Sequence, residues 1–317
     1  MPPAAVDIGG SKIQVVDAST ESAPVAELAT PVHDGPDAIV DRIAAAVTSV
    51  PAPGPVVVAS AGSLDVSGGV VHYAANLPFT EFPLTARLAA AVGRPVRLIG
   101  DAVAAAVGEF ATGAAAGCRD GVYITVSTGV GMGIVIGGRL VTGRADQAGE
   151  LGHIPVVTGP RALSCSCGQS GCLEAYASGR ALAARAAAAG VRPAGPGEGP
   201  LTARDVVVRA RAGDTPAATL LDEALGLLAT SVAGVVRLLA PPVVVLGGGV
   251  LVAGKLLDPL RRRVAAILAA TVPDIAEMML ASAHGRFSSL RGAALIARAD
   301  PAAIALLDGP IRAEDTP

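Results

Sequence analysis

Hydrophobic positions in this chain form two kinds of run. Short β-branched runs end on glycines, and longer Ala- and Leu-rich runs repeat at helical spacing. The first kind opens the chain, where AAVDIGGSKIQVVDA reads as a strand, a glycine turn at Gly9 and Gly10, and a second strand. GVYITVSTGVGMGIVIGGRLV repeats that design around a turn from Ser127 to Gly133. In PVRLIGDAVAAAVGEF an apolar strand ends at Gly100 and an Ala-rich helix follows Asp101; in PPVVVLGGGVL a buried strand runs onto Gly247, Gly248 and Gly249. The second kind of run predicts three helices: TPAATLLDEALGLLATSVAGVVRLLA, LEAYASGRALAARAAAAG directly after a cysteine-rich loop, and the late SSLRGAALIARA with small residues on one side. GVRPAGPGEGP reads as a Pro/Gly loop and LDGPIRAEDTP as a frayed tail. Two strand-turn-strand units point to a duplicated α/β fold.

Composition narrows the function classes. With 317 residues and 51% hydrophobic content the chain has material for a large core, and its length suggests about two domains. A net charge of −3 and the lack of a basic run give no reason to expect nucleic acid or a membrane as partner, so a small molecule is the default. A strand-like segment begins within the first few residues, without a basic start and apolar run, so the expected location is cytoplasmic. The most apolar stretch, LLAPPVVVLGGGVLVAG, is broken by two Pro and three Gly and is shorter than the ~20-residue apolar helix a bilayer needs.

In a reducing compartment, closely spaced cysteines are better metal ligands than disulfides. CSCGQSGC places Cys165, Cys167 and Cys172 in one loop where Gly168 and Gly171 free the backbone, and His153 stands upstream in AGELGHIP. Three thiolates and an imidazole are a common tetrahedral zinc set; the alternative is a reduced loop without metal. Cys118 reads as a buried core thiol. Each glycine turn offers backbone N–H groups to an anion, or is only a hairpin. Asp101 is either a helix N-cap or a carboxylate at the carboxyl end of a strand, where open α/β sheets place their ligands. The three glycines after the downstream strand suit a purine ring or tight packing.

These elements, in this order, resemble the sugar kinases of the ROK family (repressor, open reading frame, kinase), specifically its zinc-containing glucokinases. The resemblance is carried by DIGGSK, STGVGMG, GDAVAAAVGE, AGELGH followed by CSCGQSGCLE, and VVLGGG, and runs from about Val6 to Ala297. It implies a duplicated actin-like ATPase (ribonuclease H-like) α/β fold, with two domains around a cleft for ATP and sugar. The expected N-terminal domain covers 1–107, with a helix at about 286–300 packing back on it; the C-terminal domain covers 108–285 and a tail 301–317. By resemblance Asp101 is the general base on the sugar hydroxyl, and Gly62, Asn76, Glu150, His153 and Glu174 line the sugar site. Gly9, Gly10, Ser11, Lys12, Thr128, Gly129, Gly131, Gly247 and Gly248 match the ATP and phosphate contacts. His153, Cys165, Cys167 and Cys172 match the ligands of a structural Zn2+, and Mg2+ would accompany ATP. A homodimer or dimer of dimers is a further implication.

The activity so implied is phosphorylation of a hexose, with glucose at its 6-hydroxyl first and N-acylmannosamine or fructose as alternatives. Sugar hydroxyls donate and accept, so carboxylates and an imidazole suit them; without the resemblance, Glu150 and Glu174 read as surface charges. Some positions depart from the family pattern: Gly100 replaces an Asn, Ser11 a Thr, and Ser127 and Met132 stand for glycines in the second loop. Loss of the Asn contact costs ~1–3 kcal/mol in a site built for it, which motivates a second class of function, a catalytically weak sugar-binding regulator. A DNA-binding repressor of the family carries a helix-turn-helix before the first glycine turn, and here six residues precede Asp7.

Overall fold

The structure is a computed structural model, and it describes residues 3–20, 24–50, 54–195, 199–252 and 254–308. Strands β1 (Ala4–Ile8) and β2 (Lys12–Asp17) form the expected hairpin around Gly9 and Gly10, and β3 (Ala26–Ala29) extends it. After α1 (Pro36–Thr48), β4 (Val56–Ser60) runs parallel to β1. A small antiparallel sheet follows, made of β5 (Ser63–Asp65), β6 (Val70–Tyr73) and β7 (Thr80–Phe82). Next come α2 (Leu84–Val92), β8 (Val96–Gly100) parallel to β4, and α3 (Asp101–Ala111).

The second hairpin is β9 (Gly121–Val126) and β10 (Val130–Ile136), followed by β11 (Arg139–Leu140). Helices α4 (Glu174–Ala177), α5 (Gly179–Ala188), α6 (Ala203–Arg211) and α7 (Thr215–Leu239) precede β12 (Val244–Gly247). Then come α8 (Gly249–Val252), α9 (Leu257–Leu268), α10 (Ile275–Met278), β13 (Met279–Ala281), α11 (Ser288–Ala297) and α12 (Pro301–Leu307). The two large sheets have the orders β3-β2-β1-β4-β8 and β11-β10-β9-β12-β13. In both, the first strand lies between its hairpin partner and two later strands, which is the duplication that the two glycine hairpins predict.

The chain divides into two compact units, one of Met1–Gly121, Gly133–Gly149 and Phe287–Pro317, the other of Val122–Met132 and Glu150–Arg286. In the first, alternation along β1 sends Ala4, Val6 and Ile8 into a core with Ile39, Ile43, Val47, Leu84 and Leu88 of α1 and α2. Ala5 and Asp7 therefore point to the opposite face, where α11 packs on β1, β4 and α3. In the second unit α7 is long and apolar enough to cross a bilayer by length and composition, and its buried stripe packs on α6 and α9.

Three expectations change. The helix predicted directly after the cysteine loop is broken at Ser178, which is extended (ψ 155°) and accepts the Ala181 N–H as N-cap of α5. Cys118 is exposed rather than in the core, because it lies in the turn between α3 and β9. Part of the expected tail is helical: Asp300 caps α12 through Ala302 N–H, and Ala303 and Leu306 are buried. The rest of that tail, from residue 309, and residues 196–198 of the Pro/Gly loop lie outside the described residues.

Candidate active site

Register places the first unit's candidate residues together. Ile8 pairs with Ser60, and Ser60 with Gly100, so the three parallel strands end level with one another. Gly9 and Gly10, Gly62, and Asp101 thus all follow the carboxyl edge of one sheet, the usual ligand edge of such sheets. Asn76 joins them: a Cβ on Gly10 would come 2.6 Å from the Asn76 Cβ, so only glycine lets the first loop lie against that residue. The N-cap of α3 is Gly100, and Asp101 is the first helical residue, its Oδ1 accepting the Ala102 N–H at 2.7 Å. The carboxylate satisfies a first-turn amide from inside the helix, which fixes its position without its being the cap. Ser11 accepts the Thr30 N–H through its carbonyl, and Lys12 lies 3.5 Å from Glu27 on β3.

Asp7 is the residue whose role sequence reasoning missed. Its carboxylate accepts the Ser289 hydroxyl at 2.9 Å. Burial, and then the charge of Asp101, push it from 3.8 to about 7, against the pull of the Ser289 hydroxyl and Lys12. Its position in DIGGSK was visible, but its partner lies at the far end of the chain. A carboxyl raised on folding makes the folded state bind more protons than the unfolded one. Its contribution to stability is complete below pH 3.8 and is lost as pH rises through about 7. Urea unfolding between pH 4 and 8 should therefore show Asp7→Asn gaining on the wild type as pH rises; a constant difference would contradict the shift.

In the second unit the cysteine loop is closed by Cys165 N–H to Gln169 carbonyl and Gly168 N–H to Cys165 carbonyl bonds. Gly168 and Gly171 both adopt φ above +80°, the left-handed conformation the loop requires. The Tyr176 hydroxyl pins the neighbouring backbone, accepting from Leu163 N–H and donating to the Arg161 carbonyl. The ligand atoms of His153, Cys165, Cys167 and Cys172 lie within 4.8 Å of one another. His153 Nδ1 is 3.6 Å from Cys165 Sγ, and Cys167 Sγ is 3.7 Å from Cys172 Sγ. A tetrahedron with bonds of about 2.3 Å has edges of roughly 3.8 Å, so the four residues fit a metal ion. Burial, then the neighbouring Cys167 and Cys165, push the Cys172 thiol up to about 12, which a coordinated cation reverses.

His153 ends a short 3-10 turn, Leu151–His153, that Glu150 precedes, and its Nε2 lies 3.8 Å from the Glu150 carboxylate. The pair thus shares one side of a turn, as its spacing predicts. One imidazole nitrogen faces the sulfurs and the other faces an exposed carboxylate. Glu174 is buried and accepts the Val130 N–H at 2.9 Å. Thr128 is exposed at the turn after β9, and Gly129 and Gly131 follow it. Gly247 pairs with Thr125, which brings the glycine turn after β12 level with that loop. A Cβ on Gly247 would meet the Tyr123 hydroxyl at 2.4 Å and one on Gly248 the Val126 carbonyl at 2.2 Å. Packing is thus sufficient reason for both glycines.

Known proteins match this arrangement closely. A sequence model described as "ROK family" matches residues 3–300. The glucokinase of Streptomyces coelicolor is 36% identical over 272 residues, covering 81% of this chain and 85% of its own. The N-acetylmannosamine kinase of Citrobacter koseri is 34% identical over 316 residues, covering 93% and 98%. A ROK glucokinase from Streptomyces griseus, solved with glucose and AMPPNP, is 35% identical with a TM-score of 0.79, covering 94% of this chain and 100% of its own. The fold is the actin-like ATPase fold that these structures share, and the chain belongs to the ROK family.

Proposed function

We propose that this ROK-family sugar kinase transfers the γ-phosphate of ATP to the 6-hydroxyl of glucose. The observation that carries the reading is the full-length likeness to the Streptomyces griseus glucokinase, whose structure holds glucose and AMPPNP. Asp101 is the general base in this reading. It takes the proton of the sugar hydroxyl as the O–P bond forms and the bond to the β-phosphate oxygen breaks, releasing ADP. Such a transfer depends on placement and charge, so Asp101 needs its fixed seat at the start of α3 more than an unusual affinity for protons.

In the same reading Asn76, Glu150, His153 and Glu174 supply directional bonds to sugar hydroxyls, and Gly62 is a further sugar-site residue. Gly9, Gly10, Ser11 and Lys12, with Thr128, Gly129 and Gly131, face the phosphates, and Gly247 and Gly248 flank the nucleotide. His153, Cys165, Cys167 and Cys172 hold a structural zinc ion, and Mg2+ with ATP neutralises phosphate charge.

A coupled ADP-release assay across glucose, N-acetylmannosamine, N-acetylglucosamine, mannose and fructose tests the reading. Glucose should give the highest kcat/KM, and no stimulation by any of the five would refute a hexose kinase. Preference for N-acetylmannosamine would establish a second reading, which the Citrobacter koseri relative favours by matching 93% of the chain.

Gly100, where the family pattern has Asn, gives a further test. Its backbone is ordinary (φ −66°, ψ 140°), and a Cβ there meets nothing nearer than Val103 Cγ2 at 3.5 Å. The backbone and the Cβ of an Asn are therefore accommodated there. Gly100→Asn should lower the KM for the preferred sugar roughly fivefold, the worth of one added hydrogen bond. A raised KM in steady-state kinetics would show that the sugar is not read at this position.

A further inference from the structure

Cys172 and Arg180 are separated by one short stretch of chain that touches both the cysteine loop and the second glycine loop. Glu174, at the start of α4, is 7% exposed. Its Oε2 accepts the Val130 N–H and fills the space that a Cβ on Gly129 would need, 2.6 Å away. Its Oε1 faces the Arg180 guanidinium at 3.7 Å. Arg180 in turn donates to the Ser166 hydroxyl at 3.1 Å, and Ser166 stands between the ligand cysteines 165 and 167. The backbone repeats the connection: Gly179 N–H bonds the Ser127 carbonyl at 2.7 Å and Arg180 N–H the Thr128 carbonyl at 3.4 Å.

The charges fit the same arrangement. A buried carboxylate beside a loop that takes phosphate is unfavourable unless a cation offsets it, and Arg180 is that cation. The Val130 N–H is committed to Glu174, so phosphate recognition falls to the other amides of the loop. A metal ion on the cysteines would hold Ser166, which accepts from Arg180, and Cys172, two residues before Glu174, and so would fix the carboxylate and its cation together.

We propose that Glu174 and Arg180 are positioning residues that link the metal cage to the second glycine loop, so that zinc occupancy sets the affinity for nucleotide phosphates. The inference rests on the reading of that loop as a nucleotide contact. It gives Glu174 a role distinct from any bond to the sugar.

Calorimetric titration of MgADP without sugar separates the two, using the zinc-loaded wild type, Glu174→Gln, Glu174→Ala, Arg180→Met and wild type stripped by a chelator. Zinc content is measured in each, and circular dichroism confirms that the variants are folded. Glu174→Ala, Arg180→Met and the stripped protein should each bind MgADP about tenfold more weakly, with zinc retained in the two variants. Glu174→Gln keeps an oxygen for the Val130 N–H but turns an amide NH2 toward Arg180, so it should recover part of the loss and not all of it. Affinities within twofold of wild type for Glu174→Ala and Arg180→Met would overturn the inference, as would a loss in Glu174→Gln equal to that in Glu174→Ala. An affinity within twofold of wild type in the folded, stripped protein would overturn it too; should the stripped protein unfold, partial zinc loading decides, the fraction that binds MgADP tightly being expected to follow the zinc content. No binding by the zinc-loaded wild type would instead overturn the nucleotide reading, and the inference with it.

Discussion

Asp101→Asn should lower kcat by about 10²–10⁴, the range for loss of a general base, while the sugar Kd measured by calorimetry stays within about threefold. Asn retains an oxygen able to accept the Ala102 N–H, the bond that seats Asp101 in the first turn of α3. The substitution therefore keeps the placement and removes the basicity. A kcat within tenfold of wild type would end the assignment of Asp101 as base. The same change removes a negative charge near Asp7. The Asp7 pKa should fall, and the pH dependence of stability assigned to it should weaken.

The second large effect is on stability. Helices α3 and α11 approach so closely that a Cβ on Gly292 would stand 1.7 Å from the Ala104 carbonyl, and one on Gly108 would stand 2.7 Å from that of Ser288. Both obstacles are backbone, so no side-chain rotation relieves them. Gly292→Ala should cost about 3 kcal/mol or more in urea unfolding, the upper end of overpacking. It should also depress kcat, because α3 begins with Asp101. Gly234 of α7 is the contrasting case, a helical glycine whose Cβ, if it had one, would find nothing within 4 Å. Gly234→Ala should stabilise by about 0.5–1 kcal/mol. Equal effects at the two sites would show that α3 and α11 are not packed as described.

What the sequence disclosed follows from the range of the interactions involved. The two hairpins, the strand ending at Gly100 and the long helix Thr215–Leu239 are specified by local alternation, glycine placement and helical spacing, and all appear where expected. The cysteine cluster was legible because three thiols fall within eight positions with a histidine a short way upstream, although it is the pairing of Ile154–Val156 with Gly171–Leu173 that brings His153 to them. The small sheet Ser63–Phe82 escaped notice because its strands are three or four residues long and carry little pattern. The break at Ser178 was hidden by continuous Ala-rich composition, and it depends on a cap and on the Gly179 bond to the Ser127 carbonyl. Asp7 was hidden by distance, since the hydroxyl that holds it belongs to Ser289.

That distance also matters while the chain is being made. Ser288 bonds Glu109 and Ser289 bonds Asp7, and α11 covers β1 and β4. The first unit's opening strands therefore leave the ribosome long before the helix that covers them. Synthesis from Gly121 to Phe287 takes on the order of ten seconds or more at about 5–20 residues per second. During that interval one face of the sheet, with the unpartnered Asp7 carboxyl in it, is open to solvent and to other chains. The second unit, made largely from one continuous stretch, can close first. Nascent chains halted before Ser288 should thus be captured by holding chaperones, whereas full-length chains escape them.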